Sequence, residues 1–159
     1  MITFKELLSG HLISEIPINH QHNLEELLKR INVVRTAWGK PMIVTSGHRS
    51  LQDHLRIYSQ IASKKGIDFD ANKVPMQSGH LSGLCCDISD PEGELREWVL
   101  NNLQLMKTIG LWIEDFRYCN GWVHFGTKPP KSGKRIFVPY TSPPPHPELW
   151  TGIYNKEND

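Results

Sequence analysis

Leu24, Leu27, Leu28, Ile31, Val34 and Ala37 recur at intervals of three and four residues, so they share one face of a helix. Asn23 is a candidate N-cap, Glu25 and Glu26 fall in the first turn, and Gly39 stops the run. The segment 41–45 (PMIVT) is short, apolar and β-branched, and it predicts a buried strand ending at the turn Ser46-Gly47. A second helix is expected from Gln52 to about Lys64, with Leu55, Ile57, Tyr58 and Ile61 on its apolar side. Residues 65–79, polar with scattered Gly, Pro and Asn, predict a long loop. The segment 84–88 (LCCDI) reads as a buried strand carrying one charge, Asp87.

Asp90-Pro91-Glu92 has the form of an N-cap, a first-turn proline and an acidic first turn. It predicts a helix in which Leu95, Trp98, Val99, Leu103 and Met106 face the core. Residues 111–116 and 121–127 predict a hairpin turning at 117–120. After Thr127 the chain is rich in proline, which predicts an extended coil wrapped over the surface to the end at Asp159. With no internal repeat and no second core, the pattern predicts one α+β domain, an antiparallel sheet with helices packed on it.

A chain of 159 residues can bury such a core without disulfides. Lys and Arg number 18 against 17 Asp and Glu, which argues against gripping nucleic acid or an anionic membrane through bulk charge. No apolar run is long enough to span a bilayer. The opening residues, MITFKELL, have no apolar core or small-residue cleavage site, so no secretory signal is expected there. The three cysteines are odd in number, Cys85 and Cys86 are adjacent, and no CxxC spacing occurs. Reduced, mostly buried thiols are therefore expected, not a disulfide framework or a zinc ribbon.

Eight histidines direct the search for chemistry. His80 precedes a glycine turn at Gly83, Asp87 lies in the apolar strand that follows, and His124 lies in the middle of another apolar strand, GWVHF. A buried carboxylate and a buried imidazole each need a partner, and one metal ion would satisfy both. Zinc takes imidazole nitrogen and carboxylate oxygen, and a catalytic site uses three protein ligands with an open fourth position. Each residue taken singly also has a plain structural explanation, as a hydrogen-bonded core group or a loop cap.

The segment Ser78-x-His80-x-x-Gly83-x-Cys85-x-Asp87, followed by Trp122-Val123-His124, resembles the motif set of the zinc D-alanyl-D-alanine carboxypeptidases and L-alanyl-D-glutamate endopeptidases. These peptidoglycan-cutting enzymes share a fold with the hedgehog signalling domain. Ser46-Gly47-His48-Arg49-Ser50 resembles the family's substrate-binding turn, and the likeness spans roughly residues 10–140. It is greatest to the small forms of bacteriophages and prophages. The resemblance implies that His80, Asp87 and His124 bind one zinc ion, and that Arg49 and Ser78 hold the carboxylate or carbonyl of the peptide. It also implies a monomer whose partner is the peptidoglycan peptide, made in the cytoplasm and reaching the wall through a holin-type pore or from a virion. The chain departs from the family at His48, where Tyr is usual, at Cys85, where a small residue such as Ala is usual, and at Gly121, where some members carry an acid. The change at Cys85 is expected to be one of packing.

The general base must then come from Glu114 or Asp115 on the preceding strand. Strand alternation decides between them, because a one-residue slip in the hairpin exchanges the faces. Glu114 is favoured for its longer reach and Asp115 is the alternative; either could instead pair with Arg117. His48 and His54 are candidates to line the cleft, or else solvated histidines, and the loop 65–79 is a candidate wall. The expected reaction is zinc-assisted hydrolysis of peptidoglycan amide bonds. Two other readings stay open, a non-catalytic zinc-binding module and a cytosolic dipeptidase for D-Ala-D-Ala. The basic residues Lys128, Lys131, Lys134 and Arg135 could touch an anionic wall polymer, or simply be solvated.

Overall fold

The structure is a computed structural model that describes residues 1–139; the predicted proline-rich wrap beyond Pro139 lies outside the described residues. A short helix α1 (Phe4–Leu7), closed at its start by a reciprocal capping box between Thr3 and Glu6, precedes the long α2 (Ile18–Trp38). Strand β1 (Val44–Ser46) leads to α3 (Leu51–Lys65), and a 3-10 turn over Gly79–Ser82 leads to β2 (Cys85–Ser89). Helices α4 (Glu94–Asn101) and α5 (Leu103–Ile109) follow, then β3 (Trp112–Glu114), β4 (Trp122–Gly126) and β5 (Ile136–Phe137). No helix among the described residues is long and apolar enough to cross a membrane.

The five strands form one sheet in the order β1-β2-β4-β3-β5. The expected antiparallel sheet is corrected to a mixed one, because β5 runs parallel to β3. The chain leaving β4 crosses back before pairing, and Arg135 fixes its return. The guanidinium stacks 4.4 Å from the Trp112 ring and donates to the Leu111 carbonyl at 2.7 Å. This segment is therefore not wholly surface coil, and Arg135 is not a free surface charge; Lys128, Lys131 and Lys134 are exposed.

One face of the sheet is dry. Cys86, Ile88, Ile113, Val123 and Phe125 are fully buried there and join Leu24, Leu27, Ile31 and Val34 of α2 in the main core. Each such side chain contributes about 1.5–3 kcal/mol by burial. The alternate residues, Cys85, Asp87, His124 and Glu114, belong to the other face.

Several helix boundaries differ from the sequence pattern. Helix α2 begins at Ile18, five residues before Asn23, and Asn23 instead donates to the Ser82 carbonyl at 2.8 Å. The helix predicted after Asp90 starts at Glu94, behind a left-handed Gly93, yet the Asp90 carboxylate still accepts from the amides of Leu95 and Arg96 at 2.9 and 3.0 Å. That helix is also broken at Asn102, whose side chain donates back to the Trp98 carbonyl at 2.8 Å and competes with the regular ladder. The loop 65–79 carries a 3-10 turn at Ala71–Lys73 and is tied down by Val74, which packs with Tyr58 and Ala62 of α3.

Gly83 ends the 3-10 turn before β2 with φ +69°, and a Cβ there would stand 2.8 Å from Leu24 Cγ and 2.9 Å from the His20 carbonyl oxygen. Gly83→Ala is expected to lose about 2 kcal/mol or more, from the left-handed backbone and the contact with α2 together. A lowered urea midpoint checks it; an unchanged midpoint would mean that α2 gives way freely.

Candidate metal centre

The residue pairing across the sheet places the chemistry in a single row. Ser46 of β1 pairs with Asp87 of β2, Asp87 pairs with His124 of β4, and Glu114 of β3 pairs with Phe137 of β5. Trp112 pairs with Gly126 and Ile113 with Phe125, a register that continues to set Glu114 opposite His124. One row thus crosses all five strands on the face away from the core.

His80 enters from outside the sheet. Its 3-10 turn is held by Asn23 and by the close approach of Gly83 to α2. The ring Nδ1–H donates to the Gly47 carbonyl at 2.8 Å, since a carbonyl can only accept. This leaves Nε2 facing Asp87 Oδ2 at 3.2 Å. The turn supplying that carbonyl is clamped in its own right: Gly47 N donates to Ser9 Oγ at 2.8 Å and His48 N to the Leu7 carbonyl at 2.8 Å. Arg49 N donates to the His80 carbonyl at 3.0 Å.

Asp87 is the hub. Its Oδ1 meets His124 Nδ1 at 2.8 Å, its Oδ2 meets His80 Nε2, and an Arg49 Nη2 stands 3.5 Å from Oδ2. Burial alone would raise the carboxyl pKa, but the imidazoles of His80 and His124 hold it far below the usual range. Burial likewise works against charging His80, but Cys85 and Asp87 overcome it and raise His80 to about 9. His124 is moved well upward by the same two neighbours against the same burial. The Cys85 thiol, pushed up by burial, is brought down to about 6 by His80 and His124. Positive charge is favoured on both imidazoles because a carboxylate and the Cys85 sulfur face them. The donor atoms of His80, Cys85 and His124 all lie within 4.8 Å of one another, and this buried group could hold a metal ion.

The predicted triad of His80, Asp87 and His124 is therefore brought together. Arg49 reaches it as well, with its Nε donating to Ser46 Oγ at 2.9 Å. Ser78 heads the 3-10 turn of His80 without a capping hydrogen bond from its hydroxyl. Glu114 shares the face of His124 and is raised to about 7 by burial, an effect that His124 opposes. The thiol of Cys119 lies 3.8 Å from its Oε1. Asp115 is turned elsewhere: it caps the 3-10 turn Phe116–Tyr118 and takes three hydrogen bonds from Arg117, at 3.0, 3.1 and 2.9 Å.

Neither His48 nor His54 is solvated. His48 is buried with Nε2 3.3 Å from His20 Nδ1, and burial, then the neighbouring His20, His11 and His80, lower it to about 4. His54 is buried in α3, 2.8 Å from the Pro75 carbonyl. The sequence predicts only a packing change at Cys85, whereas the structure sets its sulfur among the donor atoms of His80 and His124. The signal that finds it is alternation, because Cys85 stands two residues before Asp87 on the same strand. No family model, no curated protein and no solved structure matches the chain.

Two outcomes are expected of this centre. A divalent cation at a hundred times its Kd stabilises the fold by about 2.7 kcal/mol, a rise of roughly 5–10 °C in Tm. His80→Ala or Asp87→Ala removes the rise, and a Tm indifferent to chelator in the unmodified chain would count against the site. Because His80 keeps its proton up to about pH 9 without metal, binding must expel it. Affinity measured by chelator competition is expected to climb from pH 6 to pH 9, with proton release in weak buffer; a flat profile would contradict that proton count.

Proposed function

We propose that the chain is a zinc-dependent peptidase that hydrolyses amide bonds in bacterial peptidoglycan peptides, in phage or prophage lysis or entry. The observation that carries this reading is the cross-strand row that seats Glu114 opposite His124, which in turn faces Asp87 and His80. A purely structural ion needs no such carboxylate. The motif order shared with the D-alanyl-D-alanine peptidases, and with it a hedgehog-like arrangement of the α+β domain, is supported by the convergence of residues far apart in sequence.

His80 Nε2, an Asp87 oxygen and His124 Nδ1 would hold the zinc, a set of nitrogen and oxygen donors that suits it. Zinc bound there would supply Lewis acidity, lowering the pKa of a water to about 7 and polarising a carbonyl. Gly47 fixes the tautomer of His80 and so aims its free nitrogen. Glu114 takes the proton of the attacking water and returns it to the leaving nitrogen as the C–N bond breaks. Its carboxyl, raised to about 7, is poised for that exchange near neutral pH. Arg49, steadied by Ser46, presents a planar fork suited to a peptide carboxylate or carbonyl, and Ser78, at the head of the turn that carries His80, would add a hydroxyl. Asp115 has no part in the proton transfer, since Arg117 occupies it.

One observation favours the non-catalytic alternative: the Cys85 sulfur lies within 4.8 Å of donor atoms of His80 and His124, and a cysteine added to His80, Asp87 and His124 would make four protein ligands, the number that closes a structural zinc site. Mass analysis of peptides released from purified peptidoglycan, run beside free D-Ala-D-Ala, separates wall cutting, dipeptide cleavage and mere binding. Glu114→Ala is expected to keep zinc and lose about 10²–10⁴ in rate, while Asp115→Ala stays near normal. Equal activity in both variants would remove Glu114 from its role, and no released product from the unmodified chain would overturn the peptidase.

A further inference from the structure

The cysteines differ in where the sheet sends them. Cys86 is fully buried in the main core, on the dry face. Cys119 follows the turn after β3, with its thiol against Glu114 at 3.8 Å. Cys85 shares its strand face with Asp87, and its sulfur lies within 4.8 Å of a ring nitrogen of both His80 and His124. Room for that sulfur is made by Gly79, where a Cβ would stand 2.9 Å from Cys85 Sγ. The turn that brings in His80 therefore also leaves a berth for the Cys85 side chain.

A tetrahedral zinc site with bonds of about 2.0–2.1 Å to nitrogen and about 2.3 Å to sulfur spaces its donors roughly 3.3–3.7 Å apart. With its donor atoms within 4.8 Å of one another, the cluster needs to contract by about 1.5 Å at most to meet that spacing. Asp87 stands 2.8 Å from His124 and 3.2 Å from His80.

We infer that the sulfur of Cys85 is the fourth protein ligand of the resting metal ion, beside His80, Asp87 and His124. The inference rests on the zinc reading above and adds to it. A thiolate makes the centre softer than a site of nitrogen and oxygen alone, so it selects zinc, cobalt or cadmium over magnesium, manganese and calcium. With Cys85 bound the ion would hold four protein donors, and hydrolysis would require one of them to give way.

X-ray absorption on the zinc-loaded full chain tests this without any variant. One sulfur scatterer at about 2.3 Å is expected, with the remaining ligands at about 2.0–2.1 Å. A shell of nitrogen and oxygen alone would overturn the role of Cys85 and leave the zinc peptidase standing. Failure to bind zinc would overturn both. The sulfur is assigned with cobalt in place of zinc: the near-ultraviolet sulfur-to-cobalt band is expected in the unmodified chain and in Cys86→Ala and Cys119→Ala, and to vanish in Cys85→Ala while the visible cobalt bands persist. Loss of the band in Cys119→Ala, with retention in Cys85→Ala, would move the ligand to the other thiol and refute the inference.

Discussion

A carboxylate placed out of water between two imidazoles is the constraint on which the rest of this molecule depends. Asp87 is buried in the middle of the sheet, and its desolvation would be costly without the positive charge of His80, His124 and Arg49 around it. Much of the surrounding architecture holds that charge in place. The N-terminal segment clamps the turn at Gly47 through Ser9 and Leu7, that turn orients His80, and α2 grips the 3-10 turn that carries it. Helical and loop elements far from the sheet are in this way recruited to fix one ring nitrogen.

The sheet separates stability from chemistry by its two faces. On the dry side, Ile88, Val123, Phe125 and Ile113 lock the three central strands to the helices. On the other side the same strands present Asp87, His124 and Glu114 in one row, at spacings that backbone hydrogen bonding sets. A site built this way needs little rearrangement to receive a cation, because register and not loop conformation fixes the donors. The ionisation shifts follow from this: the carboxylate and the sulfur raise both imidazoles, and the imidazoles lower the thiol in turn.

Much of the fold is legible in local pattern. The buried stripe of α2, the strand around Asp87, the helix α3 and the hairpin of β3 and β4 all follow from apolar periodicity and turn residues. What local pattern misplaces are boundaries where a side chain finds a better partner elsewhere. Asn23 looks like a cap but reaches Ser82, and Asn102 looks like an interior helical residue but bonds back to Trp98. Strand β5 is hidden among prolines because its pairing depends on Arg135 meeting Trp112, a contact made across the fold.

The residue types and their order along the chain determined that His80, Asp87 and His124 were candidates for one ion, since an apolar strand does not bury a lone carboxylate or imidazole without a partner. They could not choose between Glu114 and Asp115, nor assign Cys85 a place. Those choices belong to the tertiary structure, because the period of a strand is two and only the cross-strand register says which half of its side chains faces which side. The register set by Ile113 against Phe125 turns Glu114 toward His124 and leaves Asp115 to Arg117. The pairing of β2 with β4, together with the glycine at 79, brings the sulfur of Cys85 in among the imidazoles.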